Sequence, residues 1–321
     1  MPPFTRPAMK PGQEQGFVIV AVLWLIAALA GLAMIFSVYL ANSARALAVS
    51  DTALQSEALV SAAVELTAYR LQATGDDKSK NDKSKNNDKA ADASPSRGAF
   101  HTRLNGADMS VSFISEAARI DLNKAPKELV AGLMSVLGAS DEDAKEYAAR
   151  IVAWRTKAAP DSAGNEDALY RAAGRAYSPR QAPFAHVNEL SLVLGLPPAL
   201  VARALPFVTV FSGLSGIDAM TARPEVIAAM PGMTPLTLKQ FLEDRATFGN
   251  DRLAIAAALG AAKASATTEK SKAYRISIRV RLKNGSDTMS EVVINLKTDE
   301  GPYQVLSWRH DLTASRRGAE L

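Results

Sequence analysis

Gln13-Glu14-Gln15-Gly16-Phe17-Val18-Ile19-Val20-Ala21-Val22-Leu23-Trp24 opens the stretch that decides the fold. From Phe17 to Ala41 the chain carries no charge, and Ser37 and the hydroxyl of Tyr39 are its only polar interruptions. At 1.5 Å rise per residue, about 25 helical residues span roughly 37 Å, enough to cross a hydrocarbon core of about 30 Å. A secretory signal would carry a shorter apolar stretch of about 7–15 residues followed by a small-residue cleavage site. Here the run is too long and Ser43-Ala44-Arg45 is a poor processing site. Arg6 and Lys10 precede the span and Arg45 follows it, an asymmetry that places the leader in the cytoplasm.

A short charged leader ending in Gly16, with the aromatic Phe17 opening the span, resembles the leaders of type IV prepilins and type II secretion pseudopilins. That resemblance implies cleavage by a membrane peptidase between Gly16 and Phe17, then N-methylation at Phe17. On this segment alone an ordinary single-pass anchor is the alternative.

The whole chain, of 321 residues with 48% hydrophobic content, is long enough for one large or two small domains beyond the helix. Cysteine is absent, so an extracytoplasmic body would be held by its core and not by disulfides. The net charge of +4 is mild and does not point to nucleic acid. His101, His186 and His310 lie far apart, without metal-ligand spacing.

Asn42 to Gln72 keeps a helical pattern, with Leu47, Leu54, Ala58, Val64 and Leu71 recurring near multiples of 3.6 residues. The pattern predicts one continuous helix of about 55 residues, apolar all round over 17–41 and amphipathic over 42–74. Residues 75–98, dense in Asp, Lys, Ser and Asn, read as a disordered charged loop. Residues 99–118 open a sheet, with a hairpin turning at Asn105-Gly106. Helices are expected at 125–137, 141–154, 182–194, 197–205, 225–230 and 235–245. The second has the cap-like Ser140 with Asp143 three residues on. After a small polar linker at 261–272, strands are expected at 274–282, 289–296 and 303–309, within closing strands over 273–310 and before a tail at 311–321. The fold class is therefore α+β: a pilin-like long N-terminal helix on a small antiparallel sheet, with a large α-helical domain inserted over 119–260.

The insert contains an internal echo. Ile120-Asp121-Leu122-Asn123-Lys124-Ala125-Pro126 matches Ile217-Asp218-Ala219-Met220-Thr221-Ala222-Arg223-Pro224, each an extended piece before a Pro-bearing helix start. The second continues into Met230-Pro231-Gly232-Met233, like a helix-hairpin-helix turn, but with one Gly and no adjacent basic residue. Phosphate contacts need cations, so structural use of the hairpin is favoured over nucleic-acid binding.

The order of these parts resembles the large minor pseudopilin of type II secretion systems, the K subunit (general secretion pathway protein K family). The residues that carry the likeness are Arg119 through Ala125, Ile151-Val152-Ala153-Trp154-Arg155, Gly164 through Tyr170, and Phe184 through Asn188-Glu189-Leu190 to Gly195-Leu196. The echo from Gly216 to Ala222 completes the set. The resemblance implies a structural subunit, not an enzyme, at the tip of a pseudopilus. It implies minor pseudopilins I and J, other pseudopilins, prepilin peptidase and the inner-membrane secretion assembly as partners. The location it implies is the bacterial inner membrane, single-pass, with a periplasmic C-terminal body.

Most of these families carry Glu at the fifth mature position; this chain has Ala21 there, and K subunits likewise lack that Glu. An unpartnered carboxylate is costly in lipid, so its absence suits a subunit with none above it. The family also often holds calcium in an acidic loop. Asp161, Asn165, Glu166 and Asp167 offer oxygens for a hard cation. Lys157 works against such a site, and a solvated acidic loop is the other reading. No nucleophile elbow, phosphate loop or His-based metal motif is present in the sequence. Two other assignments stay open on sequence: a membrane-anchored DNA-uptake protein with helix-hairpin-helix units, and a type IV pilus minor pilin.

Overall fold

The computed structural model describes residues 14–81, 95–157, 163–249, 251–298 and 301–310, which fall into two compact units, Met1–Ala58 and Leu59–Leu321. One helix, α1 (Glu14–Asn81), runs through both in sequence. It is longer than the 55 residues expected, beginning in the leader and passing Gly75 into the stretch read as a charged loop. A single Gly in a helix interior costs only about 1 kcal/mol, too little to stop a helix already propagating. Within the first unit, Val18–Ser43 is apolar with none of its residues buried, long enough by length and composition to cross a membrane.

The second unit has two cores. In the first, a five-stranded antiparallel sheet is ordered β1-β2-β5-β6-β7, from Arg97–Leu104, Ala107–Ser115, Ala273–Arg281, Asp287–Thr298 and Gly301–Arg309. The strands of the hairpin and of the meander thus join in one sheet, β2 pairing with β5 across the whole insert. Asn105 and Gly106 both have positive φ, 52° and 75°, the two-residue turn whose twist matches the flanking strands. Alternation places Val111, Ile276, Ile278, Val280, Val292 and Ile294 on the face that meets Val60, Ala63, Val64 and Leu71 of α1. These helical positions recur at three and four residues, the spacing of a single face. Leu54, which the periodicity put on the same stripe, is exposed.

The second core belongs to the insert. Between β2 and β5 the chain forms β3 (Ile120–Asp121), α2 (Lys127–Val136), α3 (Asp141–Arg155), α4 (Ala163–Ala172), α5 (Pro198–Ala204) and β4 (Val208–Thr209). It continues with α6 (Pro224–Ala228), α7 (Pro235–Asp244) and α8 (Arg252–Leu259). Leu129, Leu133, Met134, Ile151, Leu190, Ile227 and Phe241 fill the interior. Ser140 caps α3 as expected, its Oγ accepting from the amide of Asp143 at 3.1 Å.

Three expectations are revised. Residues 182–194 hold only a 3₁₀ turn at Val187–Leu192, because Pro183 donates no amide and Gln181 sits at φ 53°. Helices α4 and α8 were not expected. The stretch read as a linker begins with a 3₁₀ helix, Gly260–Ser265, in which Ala262 is fully buried, and Ala266 bridges to Ile217. Small residues there fit a crowded core and do not signal flexibility.

Candidate functional site: the joint between sheet and helical insert

The quoted motif residues converge on one framework. Asn123 clamps the backbone of Phe184: its Oδ1 accepts from the Phe184 amide at 2.7 Å, and its Nδ2 donates to the carbonyl at 3.0 Å. The Trp154 indole N–H donates to Glu189 at 3.2 Å, while Glu189 also receives Arg180 and the Ala185 amide. Trp154, Tyr170, Tyr177 and Phe184 form an aromatic cluster with ring centroids 5.9–6.5 Å apart. Tyr170 is buried and its hydroxyl accepts from the Leu194 amide at 2.9 Å, so burial pushes its phenol up.

The internal echo is a repeated turn in the structure. Asp121 Oδ1 accepts from the Asn123 amide at 2.8 Å, as Asp218 Oδ1 does from the Met220 amide at 3.0 Å. Arg155, at the end of α3, donates to the Ala125 carbonyl at 2.6 Å, and Arg245, just past α7, donates to the Ala222 carbonyl at 2.9 Å. Each repeat is thus an Asx turn, a helix pair, and an arginine that returns to satisfy the turn's carbonyl. Asp121 and Asp218, Arg155 and Arg245 all make internal hydrogen bonds.

Sequence reading missed the joint that ties the insert to the sheet. Glu116, fully buried on the 3₁₀ turn Glu116–Ala118, receives two hydrogen bonds from Arg275 of β5, Nε to Oε1 at 2.7 Å and Nη2 to Oε2 at 3.1 Å. The hydroxyl of Thr209, on β4, also donates to Glu116. Arg275 donates its remaining edge to Glu291 of β6, which Arg309 of β7 engages as well. Burial pushes the Glu291 carboxyl up, but the guanidiniums of Arg275 and Arg309 outweigh it and hold it below its ordinary 4.5. By sequence, Arg275, Ser277, Arg279 and Arg281 alternate with apolar residues along β5, a pattern that predicts one solvent-facing side. Arg275 instead lies under the insert, 8% exposed.

For the positions predicted as sites, Gly16 and Phe17 lie in the first turns of α1, and Ala21 is exposed on the apolar helix. Asp161 falls outside the described residues. Asn165, Glu166 and Asp167 start α4, and Asp167 Oδ1 is buried without a hydrogen-bond partner among the described residues. No group of three or more His, Cys, Asp or Glu side chains suited to a metal occurs among the described residues.

A long helix, apolar at its start and packed farther along on an antiparallel sheet, with a helical domain spliced between β2 and β5, defines a pilin-like subunit of enlarged type. Residues 104–213 match the family described as type II secretion system (T2SS), protein K. This bears out the resemblance to the protein K family drawn from the sequence. Among solved structures, the chain is similar to one in the crystal structure of the GspK-GspI-GspJ complex from the enterotoxigenic Escherichia coli type 2 secretion system. Identity is 16% with a TM-score of 0.54, covering 81% of this chain and 98% of that one, a likeness of fold. The search of curated proteins found no match.

Proposed function

We propose that the chain is the tip subunit of a type II secretion pseudopilus, where it initiates or caps assembly together with minor pseudopilins I and J. The single observation that carries this reading is the splice. A pilin-like helix and sheet are interrupted between β2 and β5 by a domain with its own core, larger than the sheet it interrupts. A body so widened would block addition of a subunit above it. Ala21 agrees, since the subunit at the tip has no neighbour above to receive a fifth-position carboxylate. The solved complex with similar fold contains GspI and GspJ, and their counterparts are the partners this reading assigns.

In the same reading, prepilin peptidase cuts between Gly16 and Phe17, Phe17 is N-methylated, and Val18–Ser43 anchors the chain in the inner membrane with its body in the periplasm. Mass spectrometry of the membrane-extracted protein tests the processing. A mature chain starting at N-methylated Phe17 supports it; any other N-terminus, in cells that contain the peptidase, sinks it. Calcium is the ion proposed for Asp161, Asn165, Glu166 and Asp167, supported by the buried Oδ1 of Asp167, which has no hydrogen-bond partner among the described residues.

A further inference from the structure

Beside the joint, between the outer face of the sheet and the insert, lies a cavity of about 380 Å³. Arg119, Arg223, Arg275 and Glu291 line it, and Ile114, Pro206, Val226 and Met289 contribute its apolar wall. The carboxylates nearby are already engaged. Glu116 is held by Arg275 and Thr209, and Glu291 by Arg275 and Arg309. Among the described residues, two guanidiniums make no close carboxylate contact of their own. Arg119, its side chain 16% exposed, donates to the Pro206 carbonyl at 2.6 Å and comes no closer than 4.0 Å to Glu116. Arg223 stands 5.7 Å from the centroid of the Phe207 ring and has no ion-pair partner among the described residues. Burial first, then repulsion from Arg275, pulls Arg119 down to about 10, against a smaller opposing attraction from Glu116 and Glu291.

A half-buried guanidinium with other cations beside it, lining a partly apolar cavity, offers unfilled donors to an anion. Guanidinium presents its donors in a planar fork that fits a carboxylate, and this pairing strengthens as water is excluded. The apolar wall favours a carboxylate with a hydrocarbon body over a bare inorganic ion. We propose that this cavity binds a carboxylate carried on a short apolar group, engaged by Arg119 and Arg223. The same chemistry is offered by a glutamate flanked by apolar residues in a peptide segment, or by a free small organic acid. The inference does not depend on the secretion reading, because it rests on the cavity alone.

The test is calorimetric titration of the detergent-solubilised full chain with two probes. One is acetyl-Leu-Glu-Leu-amide, with its Gln analogue as control; the other is isovalerate, with isovaleramide as control. At least one acidic probe should bind, its neutral control at least tenfold more weakly, and the affinity should fall as salt rises. Binding of the peptide only assigns the site to a polypeptide partner; binding of isovalerate only assigns it to a free acid. Arg223→Gln alters an exposed side chain and should weaken binding about tenfold without changing the melting temperature, while Arg223→Lys should retain part of the affinity. Arg119→Gln should abolish binding, with circular dichroism confirming the fold. Absence of binding by both acidic probes at millimolar concentration, or binding indifferent to Arg223→Gln, would overturn the proposal.

Discussion

Arg275 Nε donates to Glu116 Oε1 at 2.7 Å, joining residues 159 positions apart and fastening the sheet to the inserted domain. Glu116 is fully buried and Arg275 nearly so. Removing one partner strands the other's charge away from water, which costs about 3–5 kcal/mol in comparable buried pairs. Arg275→Ala and Glu116→Ala should each lower the thermal midpoint of the solubilised chain strongly. The double variant should be destabilised by less than the sum of the two, which a double-mutant cycle measures.

Glu291 gives that joint a pH dependence. Its folded carboxyl titrates below the unfolded value because of Arg275 and Arg309, so the stability it contributes is present above about pH 4.5. That contribution is lost as pH falls through the depressed folded value. The stability gap between wild type and Glu291→Gln should therefore be full at pH 7 and close progressively below pH 4.5 in denaturation series.

Gly132, in α2, marks a close approach of two helices in the insert. A Cβ placed there would lie 2.0 Å from the backbone carbonyl oxygen of Ala229. Backbone cannot swing aside as a flexible side chain can, so Gly132→Ala should destabilise by about 1–3 kcal/mol despite the better helix propensity of Ala. Chemical denaturation would detect this; a stabilised Gly132→Ala would contradict the packing of α2 against α6.

Asn123→Ala removes both hydrogen bonds to the Phe184 backbone and should cost about 1–3 kcal/mol. Asn123→Asp keeps the acceptor but not the donor, and should fall between. Hydrogen exchange at the Phe184 amide reports the loss directly.

If Asp167 holds calcium through its buried Oδ1, the ion should raise the melting temperature of the wild-type chain and not of Asp167→Ala. Equal shifts in both would place the ion elsewhere.

The parts of the fold legible in the sequence were those set by local chemistry. Asn105-Gly106 fixed a hairpin, Ser140 a helix start, and the alternation from Ile276 to Val280 a strand with one buried face. The echo around Asp121 and Asp218 was legible because the same Asx turn needs the same residues twice. What escaped depends on distant partners. Nothing near Glu116 announces Arg275, and a charged residue alternating with apolar ones in β5 reads as solvent-facing until the insert covers it. The 261–272 stretch misled because Ala and Ser suit a tight core as well as a linker, and only the bridge from Ile217 to Ala266 distinguishes them. For the cavity beside Arg223, no local pattern exists at all, since its lining comes from both sides of the joint.

The central claim is assembly at the tip with minor pseudopilins I and J. Co-purification of the tagged full chain from membranes that also contain I, J and the major pseudopilin tests it most directly. The account predicts a stable complex of the chain with I and J that survives high salt and forms without the major subunit. A chain recovered alone, or one that binds DNA tightly and salt-sensitively while ignoring I and J, would contradict it.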